Sequence, residues 1–267
     1  MRVAPILFAL AALPAAAQTS DPLPQPELDA ITARGLALAA YDRAAWIASD
    51  SVMALKPRPE RATMYVAEPD PITGKWVVSF GMLNAAQDTF WVAYRALEGA
   101  TPANFAAIDL DPSAAGTPHQ AAMARAIVLA KGDFGATPRP YNFAIVAGDS
   151  AGWWVYAMPA QTEAGKWPLG GDVRYLVSGD GRRILAKRQL HRTILELGGP
   201  PRSGDATLAE DMHTAVIDDR PEDTDVFFTL VRAPHVGHLV VTTRFIYRIA
   251  PDGSIRYLGT TAELLAR

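Results

Sequence analysis

Leu28, Ile31, Leu38, Ala45 and Val52 recur at helical spacing, with Arg34, Arg43 and Asp50 placed elsewhere around the wheel. This pattern predicts an amphipathic helix over Glu27–Leu55, with Pro26 in its first turn and Pro57 and Pro59 ending it. Its apolar stripe should cover a sheet. The pattern then changes to runs rich in aromatic and β-branched residues: "TMYVAE", "KWVVSFGML" and "TFWVAYRAL". The links "PDPITG" and "NAAQD" are short and full of turn formers, so antiparallel hairpins are expected; a parallel pair would need a crossover of about a dozen residues or more.

A second helix is marked by Thr117-Pro118-His119-Gln120, a capping-box start, with Met123, Ala126, Ile127 and Ala130 as its stripe and Gly132 as its stop. Further strands are expected at "YNFAIVA", "GWWVYAMP", "DVRYLVS", "RILAKRQLHRT", "HTAVID", "DVFFTLVR", "HLVVTTRFIYRI" and "IRYLGT". Asp180-Gly181 and Asp252-Gly253 read as hairpin turns. The order predicts an α+β fold: predominantly antiparallel β-meander, with the long N-terminal helix and a mid-chain helix packed on it. Two similar helix-plus-sheet units, 27–110 and 117–267, are compatible with this order. Their boundary would fall in the Ala- and turn-rich stretch Leu97–Gly116. Gly198–Asp211 reads as a long excursion within the second sheet.

At the N-terminus, Met1-Arg2 precedes "VAPILFALAALPAAAQ". One positive charge, a short apolar core and small residues at Ala15 and Ala17 predict a secretory signal over residues 1–17, cleaved between Ala17 and Gln18, and a Pro-rich leader over 18–26. The expectation is an exported protein, periplasmic or extracellular, without a transmembrane segment. The 267-residue chain has no cysteine, so disulfides, thiolate metal sites and a lipoprotein anchor on a cysteine are not expected. Its formal charge of −3 removes the electrostatic argument for nucleic acid. No cofactor is called for by the motifs. The partner expected is a small molecule or an envelope protein.

Gly148-Asp149-Ser150-Ala151-Gly152 fits the G-x-S-x-G pattern and resembles, over five residues, the nucleophile stretch of α/β-hydrolase esterases of the hormone-sensitive-lipase type. That resemblance implies a Ser150 nucleophile with Asp223 or Asp225 and His235 or His238 as partners. A shorter likeness is to the G-D-S-G-G of chymotrypsin-like proteases, but only His119 precedes the serine. The residues themselves argue for a turn. Trp153-Trp154-Val155-Tyr156 is a β-favouring run where an elbow needs a helix, and no HGGG-type segment lies upstream.

The chain has five histidines, and His213, His235 and His238 fall near Glu210 and Asp211. Imidazoles plus a carboxylate are zinc-binding chemistry, which makes His213, His235, His238 and Asp211 metal candidates. In a regular strand, however, His235 and His238 point to opposite faces. "DDRPEDTD", Asp218–Asp225, is a calcium candidate by charge, but it lacks the EF-hand spacing and reads as a solvated acidic loop. Adjacent aromatic pairs, Phe90-Trp91 and Trp153-Trp154, put one ring on each face of a sheet, so Trp91, Trp153 and Trp154 are the candidate ligand-binding residues. The favoured reading is a non-catalytic binding protein. The alternative is a hydrolase using the histidine site or Ser150. A third reading is an envelope component that adds strands to a partner.

Overall fold

The computed structural model describes residues 21–148, 152–198 and 210–266; residues 1–17, assigned above to a signal peptide, lie outside them. Helix α1 spans Gln25–Met53, entered through Pro24 with Glu27 in its first turn. Its buried residues Leu28, Ile31, Gly35, Leu38, Tyr41, Ala45, Ala48 and Val52 advance in steps of three and four, giving the apolar stripe. Four strands follow: β1 (Met64–Pro69), β2 (Trp76–Leu83), β3 (Phe90–Glu98) and β4 (Phe105–Ala115). They form an antiparallel meander in sequence order. The stretch expected to contain a domain boundary therefore carries a strand. Its mostly exposed residues place it at the sheet edge, where Pro112 is tolerated and its composition looks loop-like.

Helix α2 spans Pro118–Phe134 and carries the expected cap: the Thr117 hydroxyl accepts from the Gln120 amide, and the Gln120 side chain accepts from the Thr117 amide, both at 3.1 Å. It runs through Gly132 and stops at Gly135, whose φ of 81° leaves the helix. Next come β5 (Tyr141–Ala147), β6 (Trp153–Pro159), β7 (Lys166–Gly170), β8 (Val173–Val177), β9 (Ile184–Gln189) and β10 (Ile194–Gly198). Strands β5, β6, β8 and β9 make a second antiparallel sheet, and β7 pairs with β10 as a separate ribbon.

The last sheet differs from expectation. Strand β11 (Glu210–Thr214) leads to helix α3 (Asp223–Val231) and then to β12 (Gly237–Val241), which pairs with β11 in parallel. "DVFFTLVR" is thus a helix: a short apolar run carries no decisive period, and the acidic cap before it starts a helical turn. Strands β13 (Phe245–Ile249) and β14 (Ile255–Thr260) complete the sheet antiparallel, and the short helix α4 (Thr261–Leu265) follows. The whole is an α+β fold with mostly antiparallel sheets. Among the described residues no helix is long and apolar enough to cross a membrane.

Two apolar clusters hold these layers. The larger joins the C-terminal part of α1 with α2 and the first two sheets; the smaller joins Leu28 and Ile31 of α1 with Val226 of α3 and the last sheet. Helix α1 thus contributes to both. It meets α3 at Gly35, where a Cβ would overlap the Val226 side chain and lie 2.8 Å from the Asp223 carbonyl oxygen. Gly35→Ala gains helix propensity, yet this contact cannot accept a methyl. It should cost about 1–3 kcal/mol net, measured as a lower thermal midpoint; a neutral or stabilising result would mean the two helices do not pack this closely.

Candidate metal centre

Asp218 in the acidic stretch is exposed as a solvated loop should be, but the second half of the stretch is the buried start of α3, with Glu222, Asp223 and Asp225 all nearly or fully inaccessible. Carboxylates suit a helix N-terminus, where unpaired amides and the helix dipole favour negative charge. Burial still demands partners. Asp223 has them: Arg34 of α1 at 2.8 Å, Arg174 of β8, and the Tyr156 hydroxyl of β6 at 2.8 Å. Glu222 pairs with Arg188 of β9, and Arg220 lies at 3.7 Å. Burial raises the Glu222 pKa to about 8, partly offset by those two arginines.

Asp225 is arranged differently. Its Oδ2 accepts from the Glu222 amide at 2.8 Å, closing the capping box, which leaves Oδ1 aimed at two imidazoles. His191 Nε2 lies 3.1 Å from Oδ1, and His213 Nε2 lies 3.5 Å from it. All three ligand atoms lie within 4.8 Å of one another. None of the three makes a hydrogen bond of acceptable geometry, although each is buried.

Local structure sets each imidazole. Strands β8 and β9 pair Val173 with Gln189, so Asp172 and His191 lie just beyond the paired ends, and the Leu190 amide bonds the Asp172 carbonyl at 3.0 Å. Gly171, at a φ of 66°, turns the chain into Asp172. The Asp172 carboxylate takes His191 Nδ1 at 2.8 Å, fixing the ring with Nε2 toward Asp225. His213 on β11 sits opposite Val240, and His238 lies two residues before Val240 on the same face. His213 Nδ1 and His238 Nε2 are 2.8 Å apart. The His238 ring packs against Phe228 of α3, with ring centroids 5.3 Å apart.

The protonation pattern is polarised. Burial opposes charge on His191, but Asp225 and Asp172 outweigh it and hold the imidazole pKa well above its usual value. Burial likewise opposes ionisation of Asp225, and the surrounding imidazoles reverse the effect, so its pKa is lowered. His213 is pushed down by burial, against the pull of Asp225, and burial takes His238 down to about 3. The neutral His213–His238 pair can share its proton in either direction. Both directions leave His213 Nε2 and His238 Nδ1 buried without a partner.

Of the metal candidates read from sequence, the structure brings His213 and His238 together and leaves His235 exposed outside the cluster. Asp211 is taken by Arg232 at 2.8 Å. His191 and Asp172 were missed because they come from a different sheet. Asp225 reads from sequence as a serine-triad acid or as part of the acidic calcium candidate Asp218–Asp225, and neither reading pairs it with an imidazole from another strand. Ser150 lies outside the described residues; on its flanks Ala147 of β5 pairs antiparallel with Trp153 of β6, a strand where an elbow requires a helix. Trp153 is buried with its indole N–H on the Gly179 carbonyl, and Trp154 lies under Arg174, 4.4 Å from ring centroid to guanidinium carbon. Only Trp91 of these three is exposed. Comparison with known proteins finds no matching family model, curated relative or solved structure.

Because Asp223 neutralises the buried Arg174, Asp223→Ala strands that cation and should destabilise the fold by about 3–5 kcal/mol. Denaturant unfolding measures this; a loss below about 1 kcal/mol would show that the pair behaves as if solvated.

Proposed function

We propose that this protein is a metal-binding protein that holds a divalent transition ion, zinc foremost, between His191 Nε2, His213 Nε2 and Asp225 Oδ1. The observation that carries the reading is the convergence of three buried ligand atoms at 3.1 and 3.5 Å outside hydrogen-bond geometry; binding an ion displaces the proton that Asp225 and Asp172 hold on His191. Zinc–ligand bonds of about 2.0–2.2 Å in a tetrahedron place ligand atoms about 3.3 Å apart. The observed 3.1 and 3.5 Å separations bracket that edge length. The donor set, two imidazoles and one carboxylate, suits zinc and other late first-row ions and disfavours calcium or magnesium, which prefer oxygen alone. Asp172 on His191 Nδ1 supplies the carboxylate–histidine–metal arrangement that orients a ligand ring and raises its basicity. His238 does the same for His213 through an imidazole.

Three protein ligands leave a fourth position. Next to the site is a cavity of about 30 Å³ bounded by His191 and His213 and by apolar walls from Leu169, Leu190, Leu195 and Val216. It has room for about one water molecule. A bound ion in this setting would polarise that water as a Lewis acid. The ion would also remove the unsatisfied atoms at the junction of α3 with two sheets, so binding adds to stability.

The test is elemental analysis of the full chain purified without chelator and reconstituted with zinc, together with the visible spectrum of the cobalt(II) form. The expected result is one ion per chain with tetrahedral cobalt bands, a thermal midpoint lowered by chelation, and loss of the ion in His191→Ala, His213→Ala and Asp225→Asn. His235→Ala should bind like the parent. Substoichiometric metal after reconstitution, or content unaffected by the three ligand variants, would reject the proposal.

A further inference from the structure

On the outer side of α3 a groove of about 740 Å³ runs between that helix, α1 and β7. Its walls bring together Trp46 and Asp42 of α1, Tyr65 of β1, Trp167 of β7 and Phe227 of α3. Asp42 and Trp46 are four residues apart, one helical turn, and so share a face of α1. Trp46 is 64% exposed although it lies on a well-packed helix. The rings of Tyr65, Trp167 and Phe227 are partly covered, leaving part of each accessible.

Asp42 is the anomaly in this groove. It is half-buried, and among the described residues no basic side chain pairs with it; burial by itself raises its pKa to about 6. At neutral pH it is still an anion, set among aromatic rings without a counter-ion. Among the described lining residues the one cation, Arg43, is exposed, as is Asp50, so water screens both. At the start of α3, by contrast, the buried Asp223 and Glu222 have arginine partners and Asp225 faces two imidazoles. A desolvated carboxylate with no partner in an open groove marks a place where a ligand supplies the charge.

We propose that the groove between α1 and α3 binds a small organic ammonium ion, with the Asp42 carboxylate as counter-charge and the faces of Trp46 and Trp167 as the aromatic wall. Carboxylate and indole faces both attract a cation, and the attraction grows as water is excluded. The chemistry excludes anions, which would meet Asp42 directly. It disfavours neutral ligands, which would leave the carboxylate uncompensated. The exposed amides of Asn142 and Gln161 along the groove can hydrogen-bond a polar body attached to the ammonium group.

The experiment is calorimetric titration of the full chain with choline and tetramethylammonium, with neohexyl alcohol, the uncharged carbon isostere of choline, as control. The proposal expects saturable binding of at least one cation and about tenfold or more weaker binding of the isostere. Asp42→Asn and Trp46→Ala should each weaken the cation by about tenfold. Asp42→Asn removes a desolvated charge and Trp46 is mostly exposed, so both variants should melt no lower than the parent, which separates lost binding from lost folding. His191→Ala should leave cation binding intact, separating this groove from the metal reading. No saturable binding of either cation, equal binding of the isostere, or unchanged binding in both groove variants would overturn the proposal.

Discussion

Burying the acidic first turn of α3 sets the terms for most of this structure. An isolated carboxylate moved into a protein interior costs several kcal/mol even after relaxation, and this turn buries Glu222, Asp223 and Asp225 together. The compensating groups arrive from every neighbouring layer: Arg34 from α1, Arg174 and Tyr156 from the second sheet, Arg188 from its edge, and His213 from the last sheet. Those ties anchor α3 under α1 within the parallel crossover between β11 and β12. The contact at Gly35 adds a steric condition to the electrostatic one, because only a residue without Cβ lets the two backbones approach so closely.

The three carboxylates are not equivalent, and the difference carries the functional reading. Asp223 is saturated by two guanidinium groups and a phenol, as a structural buried anion should be. Asp225 divides its oxygens: one caps its own helix, and the other faces two imidazole nitrogens outside hydrogen-bond geometry. A buried polar network that is partly satisfied is costly, so a purely structural role accounts well for Asp223 and poorly for Asp225. An ion at the convergence point would take the place of the His191 proton and make ligands of the same atoms. Asp172 and His238 then hold the rings from behind, as outer partners of a metal site do.

Asp42 shows the same logic at the surface of the fold. Its carboxylate sits on α1, which supplies buried residues to both apolar clusters, yet it faces a groove rather than a partner. Helix α3 links the two regions: Asp225 points inward from its first turn, and Phe227, two residues on and so about 200° around the helix, forms part of the groove wall. The proposed metal centre and the groove therefore lie on opposite aspects of a nine-residue helix whose position depends on the ion pairs of its first turn.

Local pattern was enough to locate α1, the cap of α2, the first three strands and most of the antiparallel meander, because apolar periodicity and capping chemistry act within a few residues. It placed His213, His235 and His238 together as candidates by their proximity to acids, and it expected a strand after Ser150 from the β-favouring run Trp153–Tyr156, where β6 lies. It could not separate helix from strand in Val226–Val231, since a short apolar run satisfies both periods and only the burial of its acidic cap against α1 resolves them. Nor could it join His191 and Asp172 to His213 and Asp225. Those residues come from separate sheets, and no spacing along the chain encodes which strand ends meet. Residue chemistry and local periodicity belong to the sequence by itself; the coincidence of two imidazoles and a carboxylate around one point, and the desolvation that makes it consequential, exist only once the layers pack.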